Sequence, residues 1–338
     1  MADTIASDRD KLVRDQPMEM PAEQGPLAIY RGAQPPAPKW FEDAVAFPYE
    51  TAFTTCEGAR IHYQRWGDRT KPGLLLVHGN GAHAHWWDFV APYLSEDYHV
   101  VAMTFSGMGD SDWRPTYMMD VFAREQLAVC EASGLFAGPT KPIIVAHSFG
   151  GFVTILTGAE YGDRFEGVVI VDSPVNPPDR QRRGPPEVRG GRVYPTLEAA
   201  LGRFRLAPPQ PCENHYALDY IARWSLKKAP LADGSGDGWA WKFDPLIWRR
   251  FQVSRAPQDL LKETRCRIAL FKGDKSVLWE DDVGDYMQGL LNRQVPFIEI
   301  PEARHHVMLD QPLAFVAALR TLLQEWRHSE PNRVVAGR

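Results

Sequence analysis

The sequence predicts an α/β fold built on a mostly parallel sheet flanked by helices. Three observations carry this expectation. Short apolar runs, "GLLLVHG", "YHVVAMTF", "PIIVAHS", "GVVIVDS", "RIALFKG" and "VPFIEIP", each end in glycine, polar or turn residues. Continuous runs of this kind suit strands buried on both faces of a parallel sheet. Helical segments lie between them, at about 85–95, 115–133, 149–162, 280–293 and 311–328. Strand and helix in alternation imply a parallel sheet with helices packed on it. The 338 residues, 44% hydrophobic and 24% charged, suit one large soluble domain with an insertion, or two small ones.

Taken in order, residues 1–45 are rich in Pro, Glu, Gln and Asp and read as an extended arm. Within it "PKWFEDAVAFP" carries Trp40, Phe41 and Phe47 as anchors for docking on the main domain. "ARIHYQRWG" alternates polar and apolar residues and reads as a half-buried strand. The last helix places Phe315, Leu319, Leu322 and Leu323 at helical spacing. The interval 174–262 breaks the rhythm. It holds the Pro- and Gly-rich "SPVNPPDRQRRGPPEVRGG", two helical stretches at about 196–205 and 214–227, and "DGSGDGWAWKFDPLIW". A long insertion between two strands usually covers the binding edge of a sheet. The expected layout is therefore an arm at 1–45, a core at 46–173 and 263–330, and a helical cap at 174–262 after the sixth strand.

Several function classes are disfavoured. A formal net charge of -5 and the absence of a long basic run argue against a nucleic-acid partner. The densest basic cluster, Arg180, Arg182 and Arg183, sits among prolines and glycines and reads as a solvated loop. The four cysteines, Cys56, Cys130, Cys212 and Cys266, show no CxxC pairing, so neither a metal site nor a disulfide framework is indicated. No apolar run reaches the length of a membrane span, and the polar N-terminus lacks a signal core, which makes a cytoplasmic location the default. No phosphate loop or dinucleotide glycine pattern occurs, and no cofactor is expected.

The chemistry concentrates at the strand ends. "IIVAHSFGG" puts Ser148 between a buried strand and a helix, with Ala146 and Gly150 in the outer positions of a small-x-Ser-x-Gly pattern. A sharp turn there needs small neighbours and raises the hydroxyl at a helix N-terminus, where the Phe149 N–H favours developing negative charge. "LLLVHGNGAHAHWW" offers a glycine-rich turn that aims a second N–H at the same point, Asn80 first and Gly81 next. His78 reads as a structural hydrogen-bonder. His83 and His85 lack the further ligands a metal would need. "IPEARHHVMLDQP" supplies two adjacent histidines, His305 and His306, either of which can take the serine proton.

With these pieces in hand, the chain resembles the α/β-hydrolase superfamily of esterases, lipases and C–C hydrolases. The resemblance rests on "LLLVHGNG", "SGMGDSD", "AHSFGG", "GVVIVDSP" and "ARHHVMLDQP" and spans about 50–328. The family's catalytic histidine precedes by seven residues the proline that opens the last helix. Pro312 stands seven after His305, which selects His305. Thr104 stands where the family usually has a structural Asp. The family's usual acid lies after the seventh strand, three residues past a glycine. From Gly273 that position is Ser276, which cannot hold an imidazolium by charge. Asp172, at the end of the sixth strand, is the first replacement, since some relatives carry their acid there. Asp274 is the second, and Glu280, Asp281 and Asp282 or no acid at all remain open.

The resemblance implies a serine hydrolase acting on a carboxylic ester or lactone through an acyl-enzyme. A C–C bond hydrolase of a vinylogous ketone acid and an inactive binding protein are the alternatives. Ser148 argues against epoxide hydrolase and dehalogenase chemistry, which need a carboxylate at that position. The expected partner is a small-molecule substrate, with self-association, if any, as a homodimer. Trp86, Trp87, Trp239 and Trp241 are candidate pocket walls for an apolar or aromatic group. Other cap aromatics, among them Phe243 and Trp248, supply the cap's own packing.

Overall fold

A computed structural model describes residues 24–180, 191–292 and 295–329. Eight strands form one sheet: β1 (Glu50–Cys56), β2 (Ala59–Trp66), β3 (Gly73–Val77), β4 (His99–Met103), β5 (Ile143–His147), β6 (Gly167–Val171), β7 (Arg267–Gly273) and β8 (Phe297–Ile300). Their spatial order is β1-β2-β4-β3-β5-β6-β7-β8. β1 and β2 join antiparallel, as do β2 and β4, while every later pairing is parallel.

The four central strands β3 to β6 are buried at every residue, as their continuous apolar runs require. Side chains alternate between faces, so each strand feeds two cores. Leu74 and Leu76 join Val100, Val145 and Val169 against Phe315 and Leu319. Leu75 and Val77 join Val101, Ile144 and Val168 against Phe122, Val153 and Leu156.

Helices α1 (Lys39–Val45), α2 (Met119–Ser133) and α3 (Phe149–Tyr161) precede the long excursion between β6 and β7. The excursion carries α4 (Leu197–Leu201), α5 (His215–Trp224), α6 (Ile247–Arg250) and α7 (Pro257–Lys262). After it come α8 (Val283–Leu290), α9 (Val307–Asp310) and α10 (Pro312–His328).

Three expectations about the elements need correction. The helix foreseen near 85–95 is instead two 3-10 turns, Ala84–Trp87 and Ala91–Tyr93. Pro92 lacks the N–H that a continuous helix would use there, and Trp86, Trp87, Phe89 and Val90 are all buried, leaving no solvent face. The excursion is not wholly helical, because Leu226–Pro230 and Asp237–Trp241 pair as an antiparallel hairpin. Its last helix, α7, belongs to the core: Leu260 and Leu261 are buried in the cluster that holds α3.

The arm, from residue 24, docks chiefly on the excursion. Gly25 N–H donates to the Gly202 carbonyl at 2.6 Å, and the Tyr30 hydroxyl meets His215 Nδ1 at 2.9 Å. Phe41 is buried against Phe89 and Tyr216, and Trp40 meets the Tyr216 edge. Phe47 does not anchor and is 43% exposed. Residues 1–23 of the arm, and most of the arginine-rich stretch 180–192, lie outside the described residues.

Candidate active site

Ser148 sits between β5 and α3 with φ 53° and ψ −120°, in the left-handed half of the map. A non-glycine residue held this way stores on the order of 1–3 kcal/mol, so its surroundings must over-determine it. Ser148 N–H donates to the Val171 carbonyl at 2.9 Å, and Ser173 Oγ donates to the Ser148 carbonyl at 2.8 Å. The small residues are enforced by space. A Cβ at Gly150 would lie 2.4 Å from the His78 carbonyl oxygen, and one at Gly151 would lie 2.1 Å from Ser173 Oγ. The turn therefore presses directly on the loop after β3. Phe149 opens α3, and a first-turn N–H has no acceptor inside its own helix.

The loop after β3 is held by His78. Its Nε2 accepts from Phe105 N–H at 3.0 Å, which leaves Nδ1 to donate to the Gly79 carbonyl at 2.6 Å. Burial lowers its pKa to about 4, so the ring is neutral and this donor–acceptor arrangement is fixed. Gly81 turns with φ 67°, and Phe243 of the excursion lies over it, 3.8 Å from where a Cβ would be. Thr104, where the family usually has an Asp, holds the loop after β3, its Oγ1 accepting from Ala84 N–H at 3.0 Å.

His305 stands on the loop after β8. Its Nε2 lies 2.9 Å from Ser148 Oγ and its Nδ1 lies 2.7 Å from Asp172 Oδ2. The loop comes this close because residue 273 is glycine: a Cβ there would lie 2.4 Å from the carbonyl oxygens of both Ala303 and Arg304. His147 Nε2 donates to the His305 carbonyl at 2.9 Å, tying the His305 backbone to the residue before Ser148.

Asp172 immediately follows β6, between β5 and β7, and is fully buried with φ 50°. The register pairs Val171 with Phe271, so Asp172 falls beside the end of β7. There Oδ1 accepts from Gly273 N–H at 3.0 Å, and Oδ2 accepts from Ser276 Oγ–H at 2.6 Å as well as from His305. Ser276, where the family's acid was expected, thus supports the carboxylate that stands one strand away. This second role was not foreseen. The strand order alone could have suggested it, since the ends of β6 and β7 are neighbours.

The other acid candidates point elsewhere. Asp274 is exposed, and Glu280 and Asp282 pair with Arg180. Asp281 is also exposed.

Of the four tryptophans, the structure brings Trp86 to the site, buried with its ring 5.4 Å from that of His306. Trp87 faces the core, against Phe315 of α10. Successive residues on a 3-10 turn point about 120° apart, so both rings cannot line one pocket. Trp239 and Trp241 pack within the excursion, on Lys228, Tyr194 and Phe204. Phe243 and Trp248 lie on the loops around Ser148, Phe243 over Gly81 and Trp248 at 5.3 Å from the Phe149 ring. His83 and His85 are engaged separately, with Ser225 and with Asp88 and Gln64.

A serine raised on a strained strand-to-helix turn, over a sheet of this strand order, defines the α/β-hydrolase class of fold. Comparison with known proteins agrees. The chain belongs to the alpha/beta hydrolase family, whose model matches residues 74–319. Among curated relatives it is similar to esterase Rv0045c of Mycobacterium tuberculosis, 26% identical over 280 residues, which covers 79% of this chain and 87% of that protein. It is also similar to human epoxide hydrolase 4, 26% identical over 120 residues, covering 35% of this chain and 32% of the other. Among solved structures, E-2-(acetamidomethylene)succinate hydrolase superposes with a TM-score of 0.64 at 17% identity, over 82% of this chain and all of that one. Among the described residues, no helix is long and apolar enough to cross a membrane.

Proposed function

We propose that the protein is a serine hydrolase that cleaves a carboxylic ester or lactone through an acyl-enzyme. The observation that carries this reading is the unbroken hydrogen-bonded chain from Ser148 Oγ through the His305 ring to the Asp172 carboxylate. Asp172 holds Nδ1 protonated, so Nε2 presents its lone pair to the serine proton. Ser148 Oγ attacks the carbonyl carbon as His305 takes that proton. The oxyanion forms beside the Phe149 N–H and the N–H of Asn80, with Gly81 next in the same turn. His305 then gives its proton to the leaving alkoxide. A water deprotonated by His305 attacks the acyl-enzyme, and Ser148 recovers its proton as the acid leaves.

The excursion between β6 and β7 acts as the cap. It reaches the site's loops through Gln210 to Asp310, His83 to Ser225, and Lys242 to Asp110, and it brings Phe243 over the oxyanion turn. These aromatics favour an apolar or aromatic substituent. The serine argues against the epoxide-opening chemistry that a relative's name carries, which needs a carboxylate nucleophile. A C–C hydrolase would need a cation for the substrate carboxylate; of the arginines in 180–192, Arg180 is paired with Glu280 and Asp282 and Arg192 lies over the Tyr194 ring, while Arg182, Arg183 and Arg189 fall outside the described residues. No disulfide joins the four buried cysteines, which fits a reducing compartment such as the cytoplasm.

Two measurements test the reading. A fluorophosphonate probe should label Ser148 in the folded protein, and Ser148→Ala should abolish both labelling and turnover of p-nitrophenyl esters. Folded wild-type protein that neither labels nor turns over esters and lactones would sink it.

A further inference from the structure

Beside the nucleophile lies a cluster that the proposed reaction leaves largely unused. His147, His305 and His306 are all buried, and one ligand nitrogen from each falls within 4.8 Å of the others. His147 spends Nε2 on the His305 carbonyl, which leaves Nδ1 unpaired among the described residues. Neither ring nitrogen of His306 has a partner among them. His305 turns Nδ1 to Asp172 and Nε2 to Ser148. Buried polar atoms are nearly always hydrogen-bonded, so several open imidazole nitrogens in one place mark a site that a ligand can satisfy.

The cluster borders the reacting atoms. A Cβ at Gly79 would lie 2.9 Å from His147 Nδ1 and 3.0 Å from Ser148 Cβ, so ring and nucleophile flank the same glycine. Ser148 itself is only partly buried, which leaves an approach from solvent.

Three imidazoles without a carboxylate are a donor set for a borderline-soft cation, not for magnesium or calcium. Zinc binds imidazole nitrogen at about 2.0–2.1 Å, which sets neighbouring ligand atoms roughly 3.3 Å apart in a tetrahedron. Closing from a spread of 4.8 Å requires the rings to shift by up to about 1.5 Å. The Nε2 lone pair of His305 points at Ser148 Oγ, 2.9 Å away, so an ion bound there requires the serine side chain to rotate aside.

We propose that His147, His305 and His306 form an inhibitory zinc site over the nucleophile. The zinc takes the Nε2 lone pair of His305, the same pair that would receive the Ser148 proton, while Nδ1–H stays on Asp172. One lone pair cannot do both, so the bound ion switches hydrolysis off until it is removed. The inhibition rests on the serine-hydrolase reading, but the binding does not.

Calorimetric titration of zinc chloride into wild type and into Ser148→Ala should give one ion per chain in both. Cobalt(II) in its place should give the visible absorption of a tetrahedral centre. His306→Phe removes a ligand that makes no hydrogen bond. It should weaken binding by more than the about ten- to hundred-fold that loss of an outer-shell partner costs. Its thermal midpoint checks that the variant is folded. Should it fail to fold, His306→Gln is titrated instead, with the same expectation. In wild type, one equivalent of zinc should suppress fluorophosphonate labelling at least ten-fold, and a chelator should restore it. No zinc binding to either wild type or Ser148→Ala overturns the proposal, as does binding undiminished by loss of the His306 imidazole. Failure of labelling without zinc would strike the serine reading alone, since calorimetry still judges the site.

Discussion

Replacing Asp172 by Asn changes one oxygen to NH2 at a residue that accepts three hydrogen bonds. Oδ1 can still accept from Gly273 N–H, and Asn tolerates the positive φ that Ala would not. Ser276 Oγ can rotate to accept from the new NH2. His305 has no such freedom. Facing a donor, its Nδ1 must become the acceptor, and Nε2 then carries the proton toward Ser148 Oγ, 2.9 Å away. The base is lost through its tautomer, with the fold intact. The same exchange in a serine protease triad lowers kcat by about 10⁴-fold, or roughly 5 kcal/mol at about 1.4 kcal/mol per decade. Asp172→Asn should therefore turn over p-nitrophenyl butyrate 10³- to 10⁴-fold more slowly, on the order expected for a lost tautomer, with little change in thermal midpoint. Ser276→Ala removes one donor to the carboxylate and leaves its charge. A charge-assisted hydrogen bond is worth about 1.5–3 kcal/mol, so the loss should stop at roughly ten- to hundred-fold. Asp274→Asn should do little. An Asp172→Asn enzyme keeping more than a tenth of wild-type kcat, or a collapse in Asp274→Asn, refutes this assignment of the acid.

Three further outcomes are expected. Gln210 clamps the loop of His305 from the excursion, its Nε2 donating to both Asp310 oxygens and its Oε1 accepting from His306 N–H. Gln210→Ala should lower kcat more than it raises KM, by about ten-fold, consistent with one or two lost hydrogen bonds. A KM effect alone would make Gln210 a pocket residue only. Gly150→Ala drives a methyl into the His78 carbonyl, and should destabilise the fold by about 1–3 kcal/mol in urea while reducing ester turnover. An unchanged midpoint would show that the turn has slack. His62 and His78 both have pKa values lowered to about 4 by burial. Their folded state refuses protons that the unfolded chain accepts below pH 6.5. Stability is therefore fully present above pH 6.5 and is lost as pH falls toward 4, at up to about 1.4 kcal/mol per pH unit for each. Equal urea midpoints at pH 7 and pH 5 would contradict that.

Much of this architecture is legible in the chain because its signals are local. The buried runs of β3 to β6 announce strands on their own, and Gly150 and Gly151 after Ser148 announce a tight turn into a helix. The edge strand β1 was not legible, because "ETAFTTC" is largely exposed and carries no buried run. Nor was the division of the tryptophans. Trp86 and Trp87 are neighbours in sequence and equally apolar, and only the turn that carries them sends one to His306 and the other under α10. The hairpin in the excursion was half legible: alternation in "GWAWKF" marks one strand, but its partner "LKKAP" has little to identify it.

The sequence by itself determined the fold class, through strand and helix runs that alternate along the chain, and the position of Ser148 on its turn. The preference for His305 over His306 came from the resemblance to the family, through the spacing to Pro312. Only the tertiary structure decided how the histidine is supported. Asp172 stands 101, 104 and 133 residues before its partners Gly273, Ser276 and His305 along the chain. What joins them is the lateral order of β6 and β7 and the register that sets Val171 beside Phe271. Asp172 after β6 meets the imidazole, and the Ser276 hydroxyl in the loop after β7 holds that carboxylate. Sequence distance carries no trace of that arrangement, because hydrogen bonds between strand ends follow the order of the sheet and not the order of the chain.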